Sequence, residues 1–147
     1  MKNFCLLTLL LACAYSGICQ DVFLGTSKDQ ISNYYIMSIT HKRGGISEVF
    51  ERVRPQDGKL PAFRKQIIED RQKMKLSTEG FDKVGYWRRR LQYDCKKKQY
   101  CVLEATYYDL YGHEIKNNDP DPSDDDAKWY GVPAATMREI EFGKACR

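Results

Sequence analysis

The segment Val84 to Tyr111, VGYWRRRLQYDCKKKQYCVLEATYYDLY, limits the fold of this chain more than any other stretch. Two runs rich in aromatic and branched residues flank a Lys-Lys-Lys-Gln turn, a pattern that predicts a β-hairpin. Successive side chains of a strand point to opposite faces. Alternation therefore puts Trp87, Arg89, Leu91, Tyr93 and Cys95 on one face of the first strand. It puts Cys101, Leu103, Ala105 and Tyr107 on one face of the second. A slip of one residue would turn one apolar set outward, so the two sets share a side of the sheet if Cys95 lies opposite Cys101. That register faces Leu91 to Ala105 and Tyr93 to Leu103. On the other side it pairs Arg88 with Tyr108, Arg90 with Thr106, and Gln92 with Glu104, which makes that side polar and aromatic. Arg stems over exposed tyrosine rings contribute about 0.5–1 kcal/mol per pair, and the same residue types are favoured at interface hot spots. The face reads as a solvated sheet surface or as a docking surface.

The rest of the chain supplies partners for the hairpin. Asp21 to Thr26 is a short apolar stretch, Tyr34 to Thr40 is rich in β-formers, and Ile46 to Arg54 alternates across the Lys-Arg-Gly-Gly turn at 42–45. These read as three strands, the last two a hairpin. Pro61 to Leu76 has proline at a helix-start position, with Phe63, Ile67, Ile68 and Met74 on one face and a charged, solvated face opposite. Thr136-Met137-Arg138-Glu139 has the form of a capping box, after which a short helix with Met137, Ile140 and Ala145 inward should end near Cys146. The expected fold class is α+β: antiparallel strands, about six in all, with a C-terminal helix and a second helix in the middle of the chain. Asn117 to Lys128 is acidic and broken by prolines, and it lacks the ligand spacing and glycine of an EF-hand loop, so a solvated loop is expected.

The N-terminus predicts export. Lys2 is followed by the uncharged run Phe4 to Ala14 and small residues at Ser16 and Gly17, the layout of a cleavable signal over residues 1–19. The run is too short to span a bilayer. Cleavage before Gln20 leaves residues 20–147 as one domain; the alternative reads Leu10-Leu11-Ala12-Cys13 as a lipobox, with Cys13 carrying lipid and tethering the protein to a membrane. Losing the signal lowers the formal charge from +4 to +3. That is far from the concentrated basic charge of a nucleic-acid binder. Cys5, Cys13 and Cys19 leave with the signal, so Cys95, Cys101 and Cys146 remain, where an oxidising compartment permits one disulfide and leaves one thiol over.

Catalytic constellations are sparse. His41 and His113 each stand beside a glycine-containing turn, in no metal-ligand or nucleophile spacing. Both read as surface residues, with a small hydrolase as the remote alternative. No glycine-rich phosphate loop occurs, and no cofactor or metal is expected. Lys96 to Lys98 can lower the pKa of a nearby thiol, but the place of Cys101 on the apolar face makes it a core thiol.

The ordered set of features is similar to one family. Tyr34-Tyr35 opens a strand; then come Tyr93-Asp94-Cys95 with its basic run, Tyr107-Tyr108-Asp109, and Gly112 with Glu114-Ile115. Trp129-Tyr130 before Val132-Pro133 and a closing Ala145-Cys146 complete it. This resembles the surface-adhesin protein E family of bacterial envelope proteins over nearly all of the mature chain. The resemblance implies a curved antiparallel β-sheet with the C-terminal helix packed on one face and a disulfide joining helix to sheet between Cys95 and Cys146, although Cys101 departs from the two-cysteine pattern and a Cys95–Cys101 bond stays open. It also implies binding of host matrix or serum proteins through basic residues on the strand entering the first cysteine. The matching positions are Lys83, Arg88, Arg90, Lys96, Lys97 and Lys98, joined by Tyr108 on the same face; Arg89 is set aside because alternation turns it inward. The expected function is a non-enzymatic exported binding domain, secreted, periplasmic or at the cell surface, with an acidic protein partner. A dimer is compatible with such a surface. The alternative is a structural or inhibitory envelope module.

Overall fold

The structure, a computed structural model, describes residues 21–116 and 127–147. The expected signal and lipobox, and most of the expected acidic loop, lie outside the described residues. Strands β1 (Val22–Thr26), β2 (Ser32–Lys42) and β3 (Ile46–Pro55) are followed by helix α1 (Leu60–Lys73) and a 3-10 turn (Phe81–Lys83). Then come β4 (Val84–Asp94), β5 (Gln99–Asp109), β6 (Glu114–Ile115), β7 (Tyr130–Gly131) and helix α2 (Met137–Ala145). The sheet runs β1-β2-β3-β4-β5-β6, each strand antiparallel to its neighbour, and β7 pairs with the other end of β5. It is the α+β architecture expected, with the sheet curled into a half-barrel. The curl has a local cause. Register shifts interrupt β1, β2, β4 and β5, and each bulge bends its strand and increases the twist. Gly85 stands at one of them, where a Cβ would lie 2.7 Å from the Leu110 nitrogen, so no side chain fits.

Alternation on β3 and β4 sets the inner face. Val49 and Val53 with Leu91, Tyr93 and Trp87 point to the same side, and both helices cover it. Ala145 of α2 packs in one cluster with Leu24, Ile36, Val49, Leu91 and Tyr93. Phe63 and Ile67 of α1 pack in a second with Val53, Phe81 and Val84.

Helix α1 starts with Pro61 in its first turn, as expected. Phe63 and Ile67 are buried and Ile68 partly so, but Met74 lies past the helix and is exposed. Arg71 takes the inward position instead. Its guanidinium sits 3.8 Å from the Phe81 ring centroid, and Nε donates to the Ser77 carbonyl at 2.6 Å, so the charge is satisfied while the stem packs. On α2 the buried positions are Glu141 and Ala145, one turn apart, and Ile140 is exposed. The capping box does not form: Thr136 donates to the Pro133 carbonyl, and Glu139 accepts from the Ala135 N–H.

Cys95 and Cys146 form a disulfide, Cα to Cα 5.4 Å, and this bridge ties the end of α2 to the β4–β5 turn. Such a bond persists in an oxidising, exported location. Cys101 is buried outside the bridge. It does not oppose Cys95, which lies in the turn; it opposes Gln92. The register expected for the hairpin is therefore corrected. Trp87 pairs with Tyr107 and Arg89 with Ala105, a slip of two that keeps every side chain on its face. The bulge at Leu103 adds one more residue, so Leu91 meets Val102 and Tyr93 meets Tyr100. Cys101 is thereby moved off the row that alternation assigned it.

The bridge closes a 51-residue separation. Replacing Cys95 and Cys146 together by Ala should lower stability by about 2–5 kcal/mol. Hydrogen exchange should show residues 137–145 losing protection first while β3 and β4 keep theirs; a uniform loss would contradict a tether that acts on α2.

Candidate functional site

The outer face of the sheet carries a ladder of rings and guanidinium groups. Phe23 of β1 packs on Tyr35 of β2, centroids 5.4 Å apart. Arg54 of β3 reaches both Tyr35 and Tyr86, 5.9 Å from each ring. Tyr86 of β4 and Tyr108 of β5 stack at 5.0 Å with planes 11° apart. Arg88 lies 5.0 Å over Tyr108 and 5.8 Å from Tyr86, and Arg52 approaches Tyr86 at 5.8 Å. The ladder crosses five strands.

Its charge is unbalanced. Arg52 of β3 stands directly opposite Arg88 of β4, an arrangement of like charges that destabilises a strand pair. Asp21 forms a salt bridge with Arg52. Burial, then the charges of Arg54 and Arg88, nevertheless hold the Arg52 pKa below its usual value, outweighing Asp21. The Nε atoms of Arg52 and Arg88 are buried with no acceptor among the described residues. One row further along, the charges cancel: Lys42 bridges Glu48, and Arg90 lies 3.8 Å from Glu48 and 3.5 Å from Glu104. Between the rows is a depression of about 170 Å³ lined by Met37, Phe50, Arg88, Arg90, Thr106 and Tyr108.

The residues expected to form one basic site fall into three places. Arg88, Arg90 and Tyr108 share the outer face, although Arg88 is opposite Thr106, Arg90 opposite Glu104, and Tyr108 opposite Tyr86. Lys96, Lys97 and Lys98 lie in the turn at one end of the hairpin, roughly 20 Å from Arg88 at the rise of an extended strand. Their contacts are local. Lys96 would press on any Cβ at Gly45, Lys97 is 3.9 Å from Asp94, and Lys98 is 3.8 Å from Glu139 of α2. Lys83 belongs to the 3-10 turn at the other end, where its carbonyl accepts from Arg64. Tyr35, Arg52, Arg54 and Tyr86 were missed; alternation on β3 gives Arg52 and Arg54 a common face, but only the strand order brings them to Tyr86.

The inner face holds a buried ionic seam between the two apolar clusters. Glu51 of β3 is fully buried and accepts from Arg89 of β4 at 2.8 Å and 2.7 Å. Arg89 is thus inward, as expected, with its guanidinium 5.2 Å from the Trp87 ring. Arg138 of α2 reaches Glu51 at 3.3 Å and also pairs with Glu141, to which Tyr93 donates its hydroxyl hydrogen. Burial, then the Tyr93 partner Glu141, push the phenol of Tyr93 well up. Burial would lower the Arg138 pKa, but Glu51 and Glu141 outweigh it and raise it.

The two histidines are not brought together. His41 of β2 pairs with the Ser47 hydroxyl at 3.0 Å, and Ser47 is itself buried 3.7 Å from the Cys95 sulfur. His113, at the far end of the sheet, pairs with Asp109 at 3.0 Å and is exposed. Among the described residues no cluster of His, Cys, Asp and Glu has the form of a metal site, and no helix is long and apolar enough to cross a membrane. Fold and site define a disulfide-tethered α+β meander domain with a cationic aromatic face. No protein-family model matches the chain, and no curated protein matches it.

Burial and then Glu51 push the Glu141 carboxyl from 4.5 up to about 6, against the pull of Arg138 and Tyr93. A raised acid holds its proton more tightly when folded, so its contribution is present below the unfolded value of 4.5 and is lost as pH rises through about 6. Glu141→Gln should therefore gain on the wild type by about 1–2 kcal/mol between pH 5 and pH 7. Chemical denaturation at both pH values measures this, and a constant difference would show that Glu141 does not titrate in that window.

Proposed function

We propose that this protein is a non-enzymatic exported binding domain of the bacterial cell envelope, and that its outer Arg-Tyr ladder docks an acidic protein partner. The observation that carries the reading is Arg52 opposite Arg88 with Arg54 beside them, since like charges directly opposite each other destabilise a strand pair and Asp21 offsets only the charge of Arg52. Carboxylates of a partner would pair with the outward ends of the Arg54 and Arg88 guanidinium groups. The stacked Tyr86 and Tyr108 offer rigid, amphipathic contact area. The depression beside Arg88 and Phe50 is sized for one apolar side chain of the partner. An adhesin contacting host matrix proteins, as the resemblance to surface-adhesin protein E implies, is the form of this function we favour. Release by cleavage before Gln20, or a tether through Cys13, would place the ladder outside the cytoplasm, in keeping with the disulfide.

Within this reading Arg88 and Tyr108 keep the role expected of them, Arg90 is muted by Glu48 and Glu104, and Lys83 and Lys96 to Lys98 are peripheral. Retention on immobilised poly-L-glutamate separates the ladder from net charge. Arg54→Glu with Arg88→Glu should weaken retention about tenfold or more at low salt, consistent with loss of two charge-assisted contacts. Reversal of all three turn lysines changes net charge more and should weaken it less. The opposite ranking would sink the assignment of the ladder as the docking surface.

A further inference from the structure

On the inner side, between the β1–β2 turn and the start of α2, a cleft of about 390 Å³ opens above the ionic seam. That volume lies in the range of small-molecule sites. Lys28 of the β1–β2 turn, Tyr34 of β2, Arg89 of β4, and Pro133, Met137 and Arg138 around the start of α2 form its walls. Three cations line it and no carboxylate does. Arg89 and Arg138 do touch carboxylates beneath the floor, those of Glu51 and Glu141, which balance the two arginines and leave the charge of Lys28 over, so the group is one negative charge short. Arg89 uses Nε and Nη2 on Glu51, fewer than the five N–H donors of a guanidinium. Tyr34, Pro133 and Met137 supply apolar walls.

We propose that this cleft binds a small organic carboxylate, its anionic head held by the charge of Lys28 together with the remaining N–H donors of Arg89 and Arg138, and its apolar body lying against Tyr34, Pro133 and Met137. The missing negative charge sets the single charge of the head, and the mixed lining sets the apolar body, since a wholly polar anion would leave three apolar walls wet. Both guanidinium groups are held in place by buried carboxylates before any ligand arrives, so little side-chain freedom is lost on binding. The site faces away from the Arg-Tyr ladder and is independent of the docking role assigned to it.

Titration of the purified protein with sodium hexanoate, followed by NMR, tests the assignment. Hexanoate should shift the Met137 methyl and the Arg89 and Arg138 Nε–H signals saturably, and 1-hexanol at the same concentrations should not. Lys28→Glu, at an exposed turn where folding is not at risk, should weaken hexanoate several-fold, and Arg138→Lys should weaken it about tenfold by removing the fork while keeping the charge. Equal shifts with hexanol, no saturation, or an unaltered affinity in Lys28→Glu would overturn the proposal. Inorganic phosphate binding the same residues as tightly as hexanoate would overturn the organic-acid assignment as well.

Discussion

Glu51 is the residue around which the inner face is organised. It stands in the middle of β3 between Val49 and Val53, fully buried, with one apolar cluster on each side of it. A carboxylate in that position carries a desolvation penalty of several kcal/mol unless charge and hydrogen bonds compensate it. Arg89 comes from the neighbouring strand, but Arg138 is 87 residues away in sequence and comes only if α2 lies across the sheet. The requirement of one buried charge thus fixes where the C-terminal helix must start. The disulfide fixes where it must end. A nine-residue helix too short to be stable alone is held at both ends, with Phe142 and Ala145 filling the space between.

The arrangement also separates two kinds of surface. Both helices and the cleft over the seam lie on the inner face, while the outer face carries the rings and guanidinium groups of the ladder. Charges on the inner side are matched closely enough to be buried. Those on the outer side are matched among Lys42, Glu48, Arg90 and Glu104, whereas Arg52, Arg54 and Arg88 share the single carboxylate of Asp21, which pairs with Arg52. The contrast within one face is the observation on which the docking proposal rests.

Much of this was legible in the sequence wherever the signal is local. Period-two alternation found the strands, the inward turn of Arg89, and the outer placement of Arg88 and Tyr108. Pro61 found the start of α1, and the resemblance anticipated the Cys95–Cys146 bridge. Register was not legible: composition does not show that the turn closes with Asp94 opposite Gln99 rather than Cys95 opposite Cys101, and the bulge at Leu103 leaves no compositional mark either. Ile140 and Arg71 exchanged the burial that hydrophobicity assigns them. In each case a charged residue had a partner waiting: Ser77 and Phe81 for Arg71, and Arg138 and Tyr93 for Glu141 on the inward face of α2. The turn lysines drew attention by composition alone, and folding directs them to Gly45, Asp94 and Glu139. Tyr35, Arg52, Arg54 and Tyr86 form the ladder only through the order of β2, β3 and β4, which no single segment encodes.

The central claim is that Glu51 and Arg138 act as one unit that seats α2 on the sheet. A double-mutant cycle of Glu51→Gln and Arg138→Gln, followed by denaturant unfolding, measures their coupling. Removing either partner alone strands a buried charge and should cost about 3–5 kcal/mol, with the pair recovering at least about 2 kcal/mol of the sum when both are removed. Additivity within about 0.5 kcal/mol would contradict the account.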